Sequence, residues 1–300
     1  MLQGTLASSV PVAVAVLGVG ACRPAPEVGD PIAADAPRSS SWAPSGAKRI
    51  VTAALLPEDL LLGVLPEERW AGISFVVDWP SSTPSSGLFP SSIPRVNGGA
   101  ESILARSPDL VLLSEYNNAA TEFQLEDAGV RVERVPTPRT FESLFRLWRD
   151  LGRLVDREAT AAALAEAAEA RFARLARKAP PKRVLLLFGR FAYAGDSLHA
   201  DCLRHVGLEN VLTRDPRGTT PELSAEELAT LRPNLVFLSA PVTTPRLASV
   251  DELPPELPYR MLPDTRRPAV VHFPEAWLGS LSQHALTACE AYVDLAQEGS

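Results

Sequence analysis

The phrase SPDLVLLSE at residues 107–115 returns as RPNLVFLSA at residues 232–240. Each copy runs Pro, then Asp or Asn, then Leu-Val, an apolar pair and Ser. A Pro-Asp or Pro-Asn pair marks a turn, and the apolar run behind it has the length of one buried strand. The match reaches upstream, because Glu101 precedes Pro108 by seven residues and Glu226 precedes Pro233 by seven. A chain that writes helix end, turn and buried strand twice is constrained to two similar lobes, each with such a strand near the middle of its sheet.

The surroundings of each copy agree. Before the first, RIVTAA reads as a buried strand from Arg49, Pro57 opens the helix PEDLLLGVL, and AGISFV reads as a second strand. PSSTPSSGLFPSSIP is loop, and a short helix over 100–106 leads to the strand of the first copy. A helix over 119–128 and the strand VRVERV follow. Around the second copy the strand RVLLLFG, a helix near 199–206, LENVL, the helix SAEELATL, the strand AVVHF and a last helix near 283–297 repeat the alternation. Ser224 and Glu227 form a capping box at the start of SAEELATL. Between the two regions Phe141, Leu144, Phe145, Leu147, Trp148, Leu151 and Leu154 fall at helical spacing. The Ala/Glu/Arg-rich run over 157–178 predicts a helix about 33 Å long, ended by Pro180-Pro181. The expected fold is α/β: two Rossmann-like lobes with mostly parallel sheets, 49–139 and 180–300, joined by a long backbone α-helix within linking helices 140–179.

Three hundred residues with a formal net charge of −7 supply no basic face for nucleic acid. The N-terminal run VPVAVAVLGVGAC is too short to span a bilayer comfortably and ends in small residues before Cys22. It is similar to a bacterial lipoprotein signal over 1–21, with Cys22 as the lipidated residue. Residues 2–21 lack the usual Lys or Arg; a start codon placed elsewhere would account for that, and an ordinary secretory signal with an incidental cysteine is the other reading. Residues 22–48 are rich in Pro, Ala and Ser and read as a tether. In an oxidising compartment Cys202 and Cys289 are either a disulfide or two buried thiols; sequence leaves both open.

RIVTAALLPEDLLLGVLPEERWAGISFVVDWP, VNGGAESILARSPDLVLL, LLLFGRFAYAGDSLHADCLRHVGLENVL and LSAEELATLRPNLVFL occur in an order that resembles the class III substrate-binding proteins of ABC importers. That family includes vitamin B12, iron–siderophore and haem binders, and the resemblance covers about 49–297. Gly72–Pro80 and Gly207–Asn210 match two of its recurring segments. It implies a monomeric, lipid-anchored extracytoplasmic protein that captures one ligand between its lobes, performs no chemistry and needs no cofactor. The ligand order it implies is a cobalamin-type corrinoid, then a ferric siderophore, then haem or a metal ion. It also implies that Glu101 and Glu226 dock to arginines of the permease; acidic residues complementing helix dipoles is the plainer reading. A module feeding a sensor is a further alternative.

Ligand candidates follow the strand ends: Phe75, Val76, Asp78, Trp79, Glu115, Tyr116, Asn117, Phe191, Tyr193 and Trp277, their aromatic members suited to a large flat ligand. Vitamin B12 binders tend to carry an aromatic where this chain has Val76, and a siderophore pocket rich in arginine finds only Arg190. Four histidines, His199, His205, His272 and His284, without i, i+4 spacing predict no metal centre. Haem iron would need Tyr116, Tyr193 or a histidine. GDSL at 195–198 matches a hydrolase motif, but it lies mid-chain with no separate D-x-x-H pair later in the chain; Asp196 and Ser197 read instead as the cap of the next helix.

Overall fold

The arginine that opens each lobe shows why the repeated phrase exists. In the computed structural model, which describes residues 42–298 apart from 214, 219, 256 and 262–266, strand β1 (Ile50–Thr52) follows Arg49, and β4 (Leu110–Ser114) follows the first copy's Pro-Asp turn. The Arg49 backbone N–H donates to Asp109 Oδ1 at 3.0 Å, and its guanidinium donates to the carbonyls of Arg106 and Ser107. In the second lobe β6 (Arg183–Phe188) begins at Arg183 and β9 (Leu235–Ala240) follows the Pro-Asn turn. The Arg183 N–H donates to Asn234 Oδ1 at 3.1 Å, and its guanidinium donates to the carbonyls of Leu231 and Arg232. Ser107 (φ 47°) and Arg232 (φ 49°) both turn the chain in the left-handed region just before proline. The phrase is therefore a clasp: Asp or Asn takes an edge donor that the neighbouring strand cannot, and the arginine takes the helix-end carbonyls.

The clasp builds two sheets of the same order. β1 lies between β2 (Trp70–Ser74) and β4, and β5 (Arg131–Val135) lies beyond β4, all parallel; β3 (Arg95–Val96) extends the β2 edge. β6 lies between β8 (Glu209–Asn210) and β9, with β11 (Ala269–Pro274) beyond β9, again parallel. Two edge strands, β7 (Phe191–Ala192) and β10 (Arg246–Leu247), are antiparallel. Helices α1 (Leu55–Leu61), α2 (Ala100–Leu104), α3 (Ala119–Asp127), α6 (Leu198–Val206), α7 (Ala225–Leu231), α8 (Glu275–Leu278) and α9 (His284–Glu298) make the crossovers and cover the faces that parallel strands must bury. β2 ends at Ser74, so Phe75 and Val76, read above as the end of the strand, begin a 3-10 turn over Phe75–Asp78 capped by the Ser74 side chain.

The link differs from a single rod. α4 (Phe141–Leu154) and α5 (Glu158–Arg174) fold back on each other, and the helix expected to run to 178 stops at Arg174 before a turn with Arg177 at φ 51°. Phe141 stacks on Phe172 at 4.2 Å, and a Cβ on Gly152 would stand 2.2 Å from that of Ala161, so only glycine lets the pair close. α4 is the spanning element. Its first N–H donates to Asp201 of α6 at 2.9 Å, and at its far end the Leu154 carbonyl accepts from Ser45 and the Val155 carbonyl from Arg69. At 14 residues it is about 21 Å long. The buried core runs without a break from Leu60 and Phe141 to Phe237 and Tyr292, so both lobes share one interior. Cys202 on α6 and Cys289 on α9 form a disulfide, Cα–Cα 5.9 Å. The signal segment, Cys22 and the tether up to residue 41 lie outside the described residues.

Candidate functional site

Parallel sheets leave their ligand space at the C-terminal strand ends. Here those ends meet around a cavity of about 260 Å³. The N-terminal lobe contributes Ala54–Leu56 and Asp59 of α1, Ser82, Ser114 and Tyr116; Thr137 comes from the connection to α4, and Gly279–Ser282 from the α8–α9 loop. Of the residues expected to bind ligand, Tyr116 lines this cavity. Its side chain is 75% exposed, yet desolvation of its hydroxyl and then the Glu115 carboxylate raise its pKa.

The base of the cavity joins the lobes through a polar cluster that sequence did not disclose. Asp59 Oδ1 accepts from the Thr83 hydroxyl at 2.8 Å and Oδ2 from the Ser282 hydroxyl at 2.9 Å, while its backbone carbonyl accepts from Gln283 Nε2. His284 Nε2 lies 2.7 Å from Ser85 Oγ and 3.9 Å from Asp59 Oδ1. Burial lowers the His284 pKa, with Asp59 opposing, so the ring is held toward its neutral form. By residue type Ser85, His284 and Asp59 are a nucleophile, base and acid. The geometry is not a relay, since serine and aspartate approach the same ring nitrogen and Ser85 is wholly buried. The cluster ties lobes together.

Two buried groups stand behind the cavity walls. Glu58 Oε1 accepts from Ser74 N–H at 2.6 Å and from the Thr52 hydroxyl at 3.0 Å, while Oε2 has no partner. Burial pushes its pKa well above the usual carboxylate range and favours the neutral acid, which bridges the ends of β1 and β2. On the other side His199 Nε2 meets the Ser280 carbonyl at 3.1 Å, and Nδ1 meets the Tyr292 hydroxyl at 3.0 Å. Burial lowers its pKa to about 4. Tyr193 donates from its hydroxyl to the Leu278 carbonyl at 2.9 Å and is 8% exposed. His199 and Tyr193 thus fix the loop carrying Gly279–Ser282.

The other expected residues divide by environment. Phe75 and Trp79 stand 39% and 51% exposed beyond β2 and meet edge to face at 5.2 Å. Val76 is half-buried, and Asp78 is paired with Arg95 at 2.8 Å. Phe191 is exposed on β7. Asn117 has its amide engaged locally: Oδ1 accepts from Ser114 N–H and hydroxyl, and Nδ2 donates to the Ala53 carbonyl, pinning the ends of β1 and β4. Trp277 is half-buried against Phe273. Phe188, not singled out by sequence, faces Gly279, where an added Cβ would stand 3.3 Å from its ring. Ser197 caps α6 by accepting from Ala200 N–H, Asp196 pairs with Arg139, and a Cβ on Gly195 would meet the Thr213 carbonyl at 2.0 Å; these contacts account for three positions of GDSL. Glu101 and Glu226 are exposed in the first turns of α2 and α7 without an ion pair among the described residues. No group of three or more metal-ligating side chains is gathered among the described residues.

Solved structures share this architecture. A periplasmic haem-binding protein of Roseiflexus sp. RS-1 superposes with TM-score 0.66 at 18% identity, over 84% of this chain and 99% of its own. The periplasmic vitamin B12 binding protein of Vibrio cholerae gives 0.62 at 18% identity, over 84% and 98%. A protein of the ABC-type Fe3+-hydroxamate transport system of Saccharomonospora viridis gives 0.61 at 21% identity, over 83% and 92%. No curated protein matches the chain by sequence. Residues 50–253 match the family described as periplasmic binding protein, and the chain belongs to that family.

Proposed function

We propose that this chain is the extracytoplasmic solute-binding component of an ABC importer, seating a corrinoid or ferric siderophore between its lobes for delivery to a permease. The observation that carries the reading is the pair of like lobes whose strand ends face one hydroxyl-rich cavity, spanned by α4. Proteins of the same fold bind haem or vitamin B12, or serve Fe3+-hydroxamate transport, which supports a chelate or macrocycle as the ligand class. The cavity takes only part of such a ligand. The rest would rest on exposed aromatics such as Trp79, Phe75 and Phe191. Haem stands third, with Tyr116 the exposed phenol available to its iron. Cys22 would anchor the protein, working as a monomer, to the membrane.

A thermal-shift panel of dicyanocobinamide, cyanocobalamin, ferrichrome and hemin tests the reading. A ligand of the folded state raises Tm by mass action, and no shift with any of them would overturn it.

Glu101 and Glu226 are the proposed docking pair, one per lobe and free of arginine, whereas Glu227 beside them is paired with Arg217 at 2.8 Å. Two charges at a fixed spacing orient an encounter more than they strengthen it. The double variant Glu101→Ala/Glu226→Ala is expected to keep ligand affinity while lowering uptake about tenfold or more. Undiminished uptake in reconstituted vesicles would exclude the pair.

A further inference from the structure

The cavity is lined by five hydroxyl side chains, one phenol and one carboxylate, Asp59, and by no lysine, arginine or histidine. That is an unusual wall for a site meant to hold negative charge. The surrounding strand ends do carry arginines, but each already has a carboxylate. Arg95 pairs with Asp78 at 2.8 Å, Arg134 with Glu122 at 2.6 Å, Arg139 with Asp196 at 3.3 Å and Arg190 with Glu222 at 2.7 Å. Each pair is close to neutral as a unit, so these arginines add little net positive field to the cleft.

Two carboxylates on the same side lack a matching cation. Asp59 is 3% exposed and takes hydrogen bonds only from hydroxyls; its nearest cationic candidate, His284, is 3.9 Å away and held toward neutrality by burial. Glu115 stands exposed beside the Tyr116 hydroxyl, with no cation paired to it among the described residues. The local field at the cavity mouth is therefore negative. The hydroxyls of Ser114, Ser280 and Ser282, which already donate to Asn117, Ser282 and Asp59, turn acceptor lone pairs rather than donors toward a ligand, which suits amide N–H groups.

We infer that this cleft selects by charge, admitting neutral or cationic chelates and rejecting anionic ones, with Asp59 and Glu115 as the groups that set the sign. The inference rests on the solute-binding reading above and narrows its ligand class. Corrinoid amides and neutral or cationic ferric hydroxamates fit; haem with two free carboxylates and ferric catecholates do not.

Isothermal titration with charge-matched pairs tests it. The pairs are N-acetyl- against N-succinyl-ferrioxamine B, hemin dimethyl ester against hemin, and dicyanocobinamide against dicyanocobyrinic acid. In any pair that binds, the anionic member is expected to be about tenfold weaker or more. Glu115→Gln, an exposed change, should narrow that gap about threefold, and high salt should narrow it further. An anionic member binding as tightly as its neutral partner overturns the charge inference and leaves solute binding standing. A gap that neither Glu115→Gln nor salt alters removes charge as its cause and also overturns it. Failure of every member of every pair overturns the solute-binding reading and this inference with it.

Discussion

In the N-terminal lobe Asp109 receives the N–H groups of Lys48 and Arg49; in the C-terminal lobe Asn234 receives that of Arg183. In both, an arginine closes onto the carbonyls that end the preceding helix. At this edge of the sheets the lobes are nearly interchangeable. At the opposite edge they are not. After β1 comes α1 with Glu58 and Asp59, whereas after β6 comes the β7 hairpin and the turn into α6. One edge repeats between the lobes; the other lines the proposed ligand cavity and differs. The interiors diverge as well. The N-terminal lobe buries an acid, Glu58, and the C-terminal lobe buries a base, His199, next to a disulfide without counterpart in the other lobe among the described residues.

The disulfide gives the largest expected asymmetry. Cys202 and Cys289 close a loop across 87 positions, and loop-closure entropy makes such a bond worth about 4.6 kcal/mol. Cys202→Ser/Cys289→Ser should therefore lower the urea midpoint sharply, and reductant should reproduce the effect in the parent but not in the variant. Equal midpoints with and without reductant would remove the staple from the comparison.

The buried acid and base predict pH responses of opposite sign. For His199 the folded pKa lies below that of the unfolded chain. The stability it permits is present above about pH 6.5 and is lost as pH falls toward about 4, by about 3 kcal/mol in all. His284 acts in the same direction. For Glu58 the folded pKa lies above the unfolded value. Its contribution is complete below about pH 4.5 and is lost as pH rises toward the raised value. Denaturant midpoints followed from pH 4 to pH 8 should show the acid-side loss flattened in His199→Gln and the neutral-side loss flattened in Glu58→Gln. A variant that flattens the wrong side would show that burial does not set these groups' protonation.

What sequence disclosed follows the same division. The repeated phrase was legible because a clasp is made of local turn chemistry: proline, a short acceptor and an apolar run, at fixed spacing. The two-lobe fold came with it. The cavity was mostly illegible because its parts meet only in three dimensions. Asp59 looks like a first-turn acid of a helix, and the loop 279–282 looks like a connector; their meeting through Ser282 depends on how α4 holds the lobes. Of the strand-end residues Tyr116 lines the cavity, whereas Tyr193 and Asn117 do not. The β6–β7 hairpin turns Tyr193 inward onto Leu278, and Asn117 is held by Ser114 and Ala53. Position along a strand says where a side chain starts, and its hydrogen-bond partners decide where it ends.

The smallest expected effect is the most direct measure of how alike the copied edges are. Asp109 accepts two backbone N–H groups and carries charge, so Asp109→Ala should cost about 1–2 kcal/mol. Asn234 accepts one, so Asn234→Ala should cost about 1 kcal/mol. If the clasp is one module used twice, Asn234→Asp should stay within about 0.5 kcal/mol of the parent, because it keeps the oxygen that accepts from Arg183. Asp109→Asn keeps the oxygen for Arg49 but turns an amide N–H toward that of Lys48, and should cost about 1 kcal/mol. The double exchange should then equal the sum of the singles, the two turns lying in different lobes. An Asn234→Asp exchange that costs as much as Asn234→Ala would mean that acceptor geometry does not make the clasp, and that the resemblance between the two edges stops at the spelling.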